Sequence, residues 1–212
     1  MSFIKGGSEA AGKKVALTFD DGPDAVYTVS ILEILKTYGI KAAFFLTGEN
    51  MEQYPEVVQK IYREGHEVGN HSYNHVRLSE LPKETVYHNQ ISRAAAVFKQ
   101  ILGFNPRLYR PPYGAITKTQ IEYLEEKGYL QVRWLADSLD WVPRENAPEK
   151  ILSRIVTELK DGGIVLLHSG RGDRSNTVTV LPRIIEELDS KGYRFCTVTE
   201  MPGEDYFSQT TG

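Results

Sequence analysis

Two periods divide the apolar positions of this chain. Short apolar runs stand at 15–19, 41–46, 66–68, 108–110, 129–136, 163–167 and 194–198, most of them flanked by Gly or Pro. Runs of this length with such flanks predict strands, and a run without polar alternation predicts a strand buried on both faces. Between them, apolar residues recur at three- and four-residue spacing, as in Val26, Val29, Leu32 and Leu35. These stretches predict helices that stop near Gly39, Gly65, Gly103, Gly128 and Gly192, with Pro55 and Pro82 opening two of them and a further helix over 148–160. Residues 47–54 read as a loop.

Strand following helix throughout predicts an α/β chain with a parallel sheet covered by helices. Seven such strands suit either a doubly wound sheet or a small, irregular (β/α) barrel. Residues 1–12 are small and polar and predict a flexible lead-in. Residues 13–202 form one domain, and 203–212 a polar tail.

Composition narrows the classes. The chain has 212 residues, 41% of them hydrophobic, and a formal charge of -3, so no broad basic field for nucleic acid or anionic lipid is expected. Its one cysteine, Cys196, rules out an intramolecular disulfide and reads as a small core residue. No apolar run is long enough to span a membrane. Residues 1–14 hold no apolar signal core, which leaves a cytoplasmic protein or a mature domain as the alternatives.

Candidate chemistry gathers where the predicted strands end. Asp20 and Asp21 follow the first, His71 the third with His75 four residues on, Arg110 the fourth, Asp137 the fifth and His168 the sixth. In parallel α/β folds these ends share one rim, where active sites form. Adjacent carboxylates stay ionised together only beside a cation, so a metal, an arginine or both are expected there. His71, His75 and a carboxylate make a two-histidine, one-acid ligand set with open positions. His66, at the opposite end of a strand, and His88, inside a helix, stand apart from the rim and read as structural or exposed. Arg171-Gly172-Asp173 falls in a polar loop and reads as a chance match to an adhesion motif.

Five blocks then occur in order: Thr18-Phe19-Asp20-Asp21-Gly22-Pro23, His71-Ser72-Tyr73-Asn74-His75, Arg110-Pro111-Pro112-Tyr113-Gly114, Asp137-Ser138-Leu139-Asp140-Trp141 and Leu166-Leu167-His168-Ser169. In these blocks the chain resembles the polysaccharide deacetylases of the NodB-homology type, carbohydrate esterase family four. The resemblance runs from about Val15 to Met201. Its one noted departure is Ser169, where the family often has Asp. It implies a distorted (β/α) barrel of seven or eight mostly parallel strands. It also implies Asp20 as general base, Asp21, His71 and His75 as metal ligands, His168 as general acid, Arg110 as the residue orienting the base, and the backbone N–H of Tyr113 as an oxyanion donor. The implied cofactor is one divalent metal, usually zinc, with cobalt or nickel as alternatives.

Amide hydrolysis needs His168 protonated, and a carboxylate on its other nitrogen would keep it so. Asp137 is the first choice for that partner and Asp140 the second. Trp141, Tyr113, Pro112 and Leu167 are the expected groove walls, with Leu167 against the acetyl methyl. The expected activity is metal-dependent N-deacetylation of N-acetylglucosamine residues in peptidoglycan or chitin-like chains. The rivals are an O-acetyl esterase acting on xylan, a non-catalytic carbohydrate-binding domain and a metal-stabilised structural domain. A monomer is expected, exported or wall-associated if the substrate is a wall polymer.

Overall fold

The computed structural model describes residues 3–4, 7 and 12–201. Among the described residues nine strands form one sheet: β1 (Phe3–Ile4), β2 (Lys14–Gly22), β3 (Ala43–Leu46), β4 (Glu67–Asn70), β5 (Leu108–Tyr109), β6 (Leu130–Val132), β7 (Ala136–Asp137), β8 (Gly163–His168) and β9 (Arg194–Phe195). Every pairing is parallel, and the order is β1-β6-β5-β4-β3-β2-β8-β7, with β9 added beside β2.

That order decides between the two architectures. After β6 the chain crosses to the far edge, lays down β7, and returns through β8 to β2. A doubly wound sheet would instead build outward from its centre on the second side. Steady progress around a curled sheet makes this a distorted (β/α) barrel, open between β6 and β7. The opening explains why the run 129–136 is two strands rather than the one expected. Arg133 N–H bonds the Ile4 carbonyl at 2.6 Å, whereas Leu135 N–H bonds the Ile164 carbonyl at 2.9 Å. The run therefore leaves one neighbour and takes another as it crosses the gap.

Two other expectations change. The lead-in contributes β1, which pairs with β6, and Gly7 N–H bonds the Gly162 carbonyl at 2.9 Å. The 47–54 loop contains a short helix, Gly48–Gln53. Residues 202–212, including the polar tail, lie outside the described residues.

Side chains alternate across the strands as the period of two requires. Val15, Leu17 and Phe19 of β2, Phe44 and Leu46 of β3, and Val165 and Leu167 of β8 face the helices. Ala16, Ala43, Phe45, Leu108, Val132 and Ile164 fill the barrel, joined by Ile4, Val198 and Met201. This apolar plug occupies the lower barrel. Above it, on the same inward face, come Thr18 and Asp20 of β2 and His168 of β8. The alternation that packs the core thus carries polar groups to the strand ends.

Candidate active site

At the end of β2 two successive carboxylates face one cavity, which a regular strand cannot arrange. Asp20 pairs with Phe45 and Gly22 with Leu46, so Asp21 is an extra residue in a bulge, at φ 70°. The bulge turns Asp21 inward beside Asp20. Asn50 Nδ2 donates to the Asp21 carbonyl at 2.8 Å. Gly170 lies against the same carbonyl, 2.3 Å from where a Cβ would stand, so a side chain at 170 would force the bulge open.

Arg110 is fully buried beneath this pair. Its Nη1 donates to Asp20 Oδ1 at 2.7 Å and to Thr18 Oγ1 at 2.8 Å, and Nη2 and Nε donate to the carbonyls of Arg133 and Val132. Phe45 packs on the guanidinium face, 4.2 Å from the ring centre. The cation therefore has one orientation and holds one oxygen of Asp20.

Across Asp21 stand His71 and His75. His71 Nδ1 lies 2.7 Å from the Arg110 carbonyl. A carbonyl only accepts, so Nδ1 carries the hydrogen, and a neutral ring presents a bare Nε2. That Nε2 lies 3.4 Å from Asp21 Oδ1, and His75 Nε2 lies 3.0 Å from the same oxygen. Burial raises the Asp21 carboxyl, but the two histidines outweigh it and hold the group well below the usual carboxylate range. Two imidazole nitrogens and a carboxylate converging in a buried space call for a cation, whether proton or metal. The two-nitrogen, one-oxygen set of Asp21, His71 and His75 fits a divalent ion.

On the other side His168 Nδ1 lies 2.6 Å from Asp140 Oδ1. Asp140 Oδ2 accepts the His168 N–H at 2.9 Å and the Thr177 hydroxyl at 2.8 Å. Burial lowers the His168 pKa, but the Asp140 carboxylate more than reverses this and lifts it to about 9. Asp140 itself is raised by burial and lowered further by His168, for a net fall.

Asp140, not the first-choice Asp137, is thus the partner of His168. Asp137 pairs in register with Leu166, two residues short of His168. Its Oδ1 accepts the Leu139 N–H at 3.0 Å, and burial raises its carboxyl. Leu139, at φ 51°, then turns the chain so that Asp140 comes over the end of β8.

The cavity measures about 470 Å³ and is lined by Asp20, Asp21, His71, His75, Tyr113 and His168, with Asp137 and Trp141 at its wall. Trp141 is 52% and Tyr113 59% exposed, as groove walls require and core residues would not be. Tyr113 packs edge-on against His75, ring centres 4.7 Å apart. Two wall assignments change. Leu166 lines the cavity, whereas Leu167 faces the helices; with His168 inward, the period of two puts 166 inward and 167 outward. Pro111 lines it and Pro112 is buried outside it. Trp134, Arg77, Arg171 and Arg174 also line the cavity and were not anticipated. Ser169 uses its N–H on the Asp20 carbonyl at 2.8 Å, a bond that any residue but proline could make at 169.

Among the described residues, the non-glycine residues with left-handed φ are Asp21, Ser72, His75, Tyr113, Leu139 and Arg171, and all border this cavity or lie between residues that do. Backbone strain of this kind concentrates at functional sites. A larger groove of about 740 Å³ lies at the opposite strand ends. Two of its titratable groups are already committed: His66 Nδ1 accepts the Ala42 N–H at 3.2 Å while burial pushes its pKa down to about 4, and Glu67 accepts the N–H groups of Val198 and Thr199.

A model of the polysaccharide deacetylase family matches residues 7–132. The chain belongs to that family. A polysaccharide deacetylase by sequence, it is 40% identical over 191 residues to a Bacillus cereus protein named peptidoglycan-N-acetylglucosamine deacetylase, covering 89% of this chain and 88% of the relative. The crystal structure of the Bc1960 peptidoglycan N-acetylglucosamine deacetylase superimposes with a TM-score of 0.87 at 36% identity, over 94% of this chain and 92% of that one. A carbohydrate esterase family four pseudoenzyme from Bacillus anthracis shares the fold at a TM-score of 0.81 and 28% identity, over 89% of this chain and 65% of that one. A deacetylase of this family is a hydrolase, and the pseudoenzyme makes the geometry of the individual site decisive.

Proposed function

We propose that this polysaccharide deacetylase removes acetyl groups from N-acetylglucosamine residues of a wall-type or chitin-like glycan, using a bound divalent metal with Asp20 as base and His168 as acid. The observation that carries the reading is the division of charge across the cavity. The Arg110 guanidinium stands 2.7 Å from one Asp20 oxygen on one side, and Asp140 keeps His168 protonated on the other.

Asp20 has one oxygen committed to Arg110 and the other available to take a proton from the attacking water. A divalent ion held by Asp21, His71 and His75, with zinc as first choice and cobalt or nickel as alternatives, would polarise the acetyl carbonyl and acidify the water. The backbone N–H of Tyr113 supplies a dipole for the developing oxyanion. His168 gives its proton to the departing nitrogen, and Asp140 stabilises the imidazolium until it does. Trp141 and Tyr113 offer ring faces to the apolar faces of the sugar. A wall glycan as substrate goes with an exported or wall-associated protein, acting as a monomer.

The test is acetate release from N-acetylglucosamine oligomers. Release is expected to vanish after chelation and return with zinc. Release that survives full chelation would contradict the metal reading. No release from folded, zinc-loaded protein would contradict the N-deacetylase reading, and acetylated xylan would become the substrate to try.

A further inference from the structure

We propose that Gln90 is a positioning residue for the metal site, acting through a π turn one layer behind it; this rests on the metal reading above. The chain over 70–75 must bring two imidazoles, four residues apart, to one carboxylate oxygen. It does so with Ser72 at φ 68° and His75 at φ 60°. Left-handed conformations at non-glycine residues are strained and persist only where surrounding bonds enforce them.

Those bonds come from two sides. The carbonyls of Ser72 and Tyr73 accept the N–H groups of Gly48 and Glu49, each at 3.0 Å, where the helix Gly48–Gln53 begins. On the other side, Ser72 N–H donates to Asn70 Oδ1 at 2.9 Å and His75 N–H to Ser72 Oγ at 3.0 Å. Tyr73 and Asn74 donate their N–H groups to one atom, Gln90 Oε1, at 3.1 and 3.3 Å. Asn70 is fixed in turn, because its Nδ2 donates to the Ile91 carbonyl at 2.9 Å.

Gln90 and Ile91 are consecutive, buried residues of the π segment Val86–Ser92, which interrupts the helix over 83–102. π turns are rare and gather near functional sites. This one presents a side-chain acceptor and a main-chain acceptor to the same loop. Neither residue lines the cavity, so neither can touch substrate. Gln90 acts on the shape of the ligand loop alone.

Gln90→Met fills similar volume without the acceptor, and Gln90→Glu restores an acceptor oxygen. Zinc affinity, measured by competition with a chromophoric chelator, is expected to fall about 10–100-fold in Gln90→Met, as for other residues that support metal ligands. It should recover in Gln90→Glu, and the KM of zinc-saturated Gln90→Met for oligosaccharide should match that of the parent chain. Should Gln90→Met fail to fold, Gln90→Asn, one methylene too short to reach both N–H groups, carries the same expectation. Unaltered zinc affinity in the folded acceptor-less variant, or a Gln90→Glu protein as weak as Gln90→Met, would overturn the proposal. A parent chain that binds no zinc would instead defeat the metal reading, and this proposal with it.

Discussion

His168→Ala is expected to lower turnover on N-acetylated sugar by about 10²–10⁴-fold, the range for losing a general acid. Hydrolysis of an acetyl ester by the same variant should fall much less. An amine departs from the tetrahedral intermediate only with a proton supplied, whereas an alkoxide is a better leaving group. The variant should fold, because Asp140 keeps two of its donors: the backbone N–H at 168 and the Thr177 hydroxyl. Parallel rate measurements on an N-acetylglucosamine oligomer and an O-acetylated sugar check this. Equal losses on the two substrates would contradict the assigned role and favour a positional function for His168.

Arg110→Met is expected to destabilise the protein by about 3–5 kcal/mol, the usual result of stripping one partner from a buried ion pair. At roughly 2–4 °C per kcal/mol for a chain of this size, the melting temperature should fall by roughly 6–20 °C. The cause is what remains behind. Asp20 is only 3% exposed, and without the guanidinium it loses its 2.7 Å partner while the carbonyls of Val132 and Arg133 lose their donor. Arg110→Met combined with Asp20→Asn should regain part of the lost stability, since no unpaired charge is left, yet stay inactive for want of the base. Thermal melts of the two variants decide it. A double variant no more stable than Arg110→Met would show that the pair contributes packing rather than charge compensation.

Much of this arrangement was legible in the residue order. Apolar runs punctuated by Gly and Pro marked the main strands. The polar residue after each run marked the rim, because parallel strands bring those positions to one end. The failures came where a three-dimensional turn overrode local pattern. Asp137 is adjacent to β8 by strand order, but the left-handed Leu139 that delivers Asp140 to His168 has no signature in a leucine. Leu167 as a wall residue runs against a rule that sequence does supply: an inward His168 puts Leu166, not Leu167, in the cavity. Gln90 was hidden for another reason. A single π turn shifts a helix's apolar register by only one residue and no residue type marks it, so the 83–102 helix gave no sign that its middle faces a ligand loop. The run 129–136 failed because a change of neighbour at the barrel opening leaves the composition untouched.

The division of labour between Asp20 and His168 is tested most directly by the pH dependence of kcat/KM for zinc-loaded enzyme, with and without Asp140→Asn. His168 is raised to about 9 chiefly because Asp140 faces it. It holds its proton below that value and loses it as the pH rises, so a required acid gives an alkaline limb. Removing the carboxylate charge leaves burial opposed only by the weaker fields of Asp21 and Asp20, which lowers the His168 pKa. The alkaline limb of Asp140→Asn should therefore move to lower pH. An alkaline limb that does not move would contradict His168 as the acid, and with it the account of this cavity.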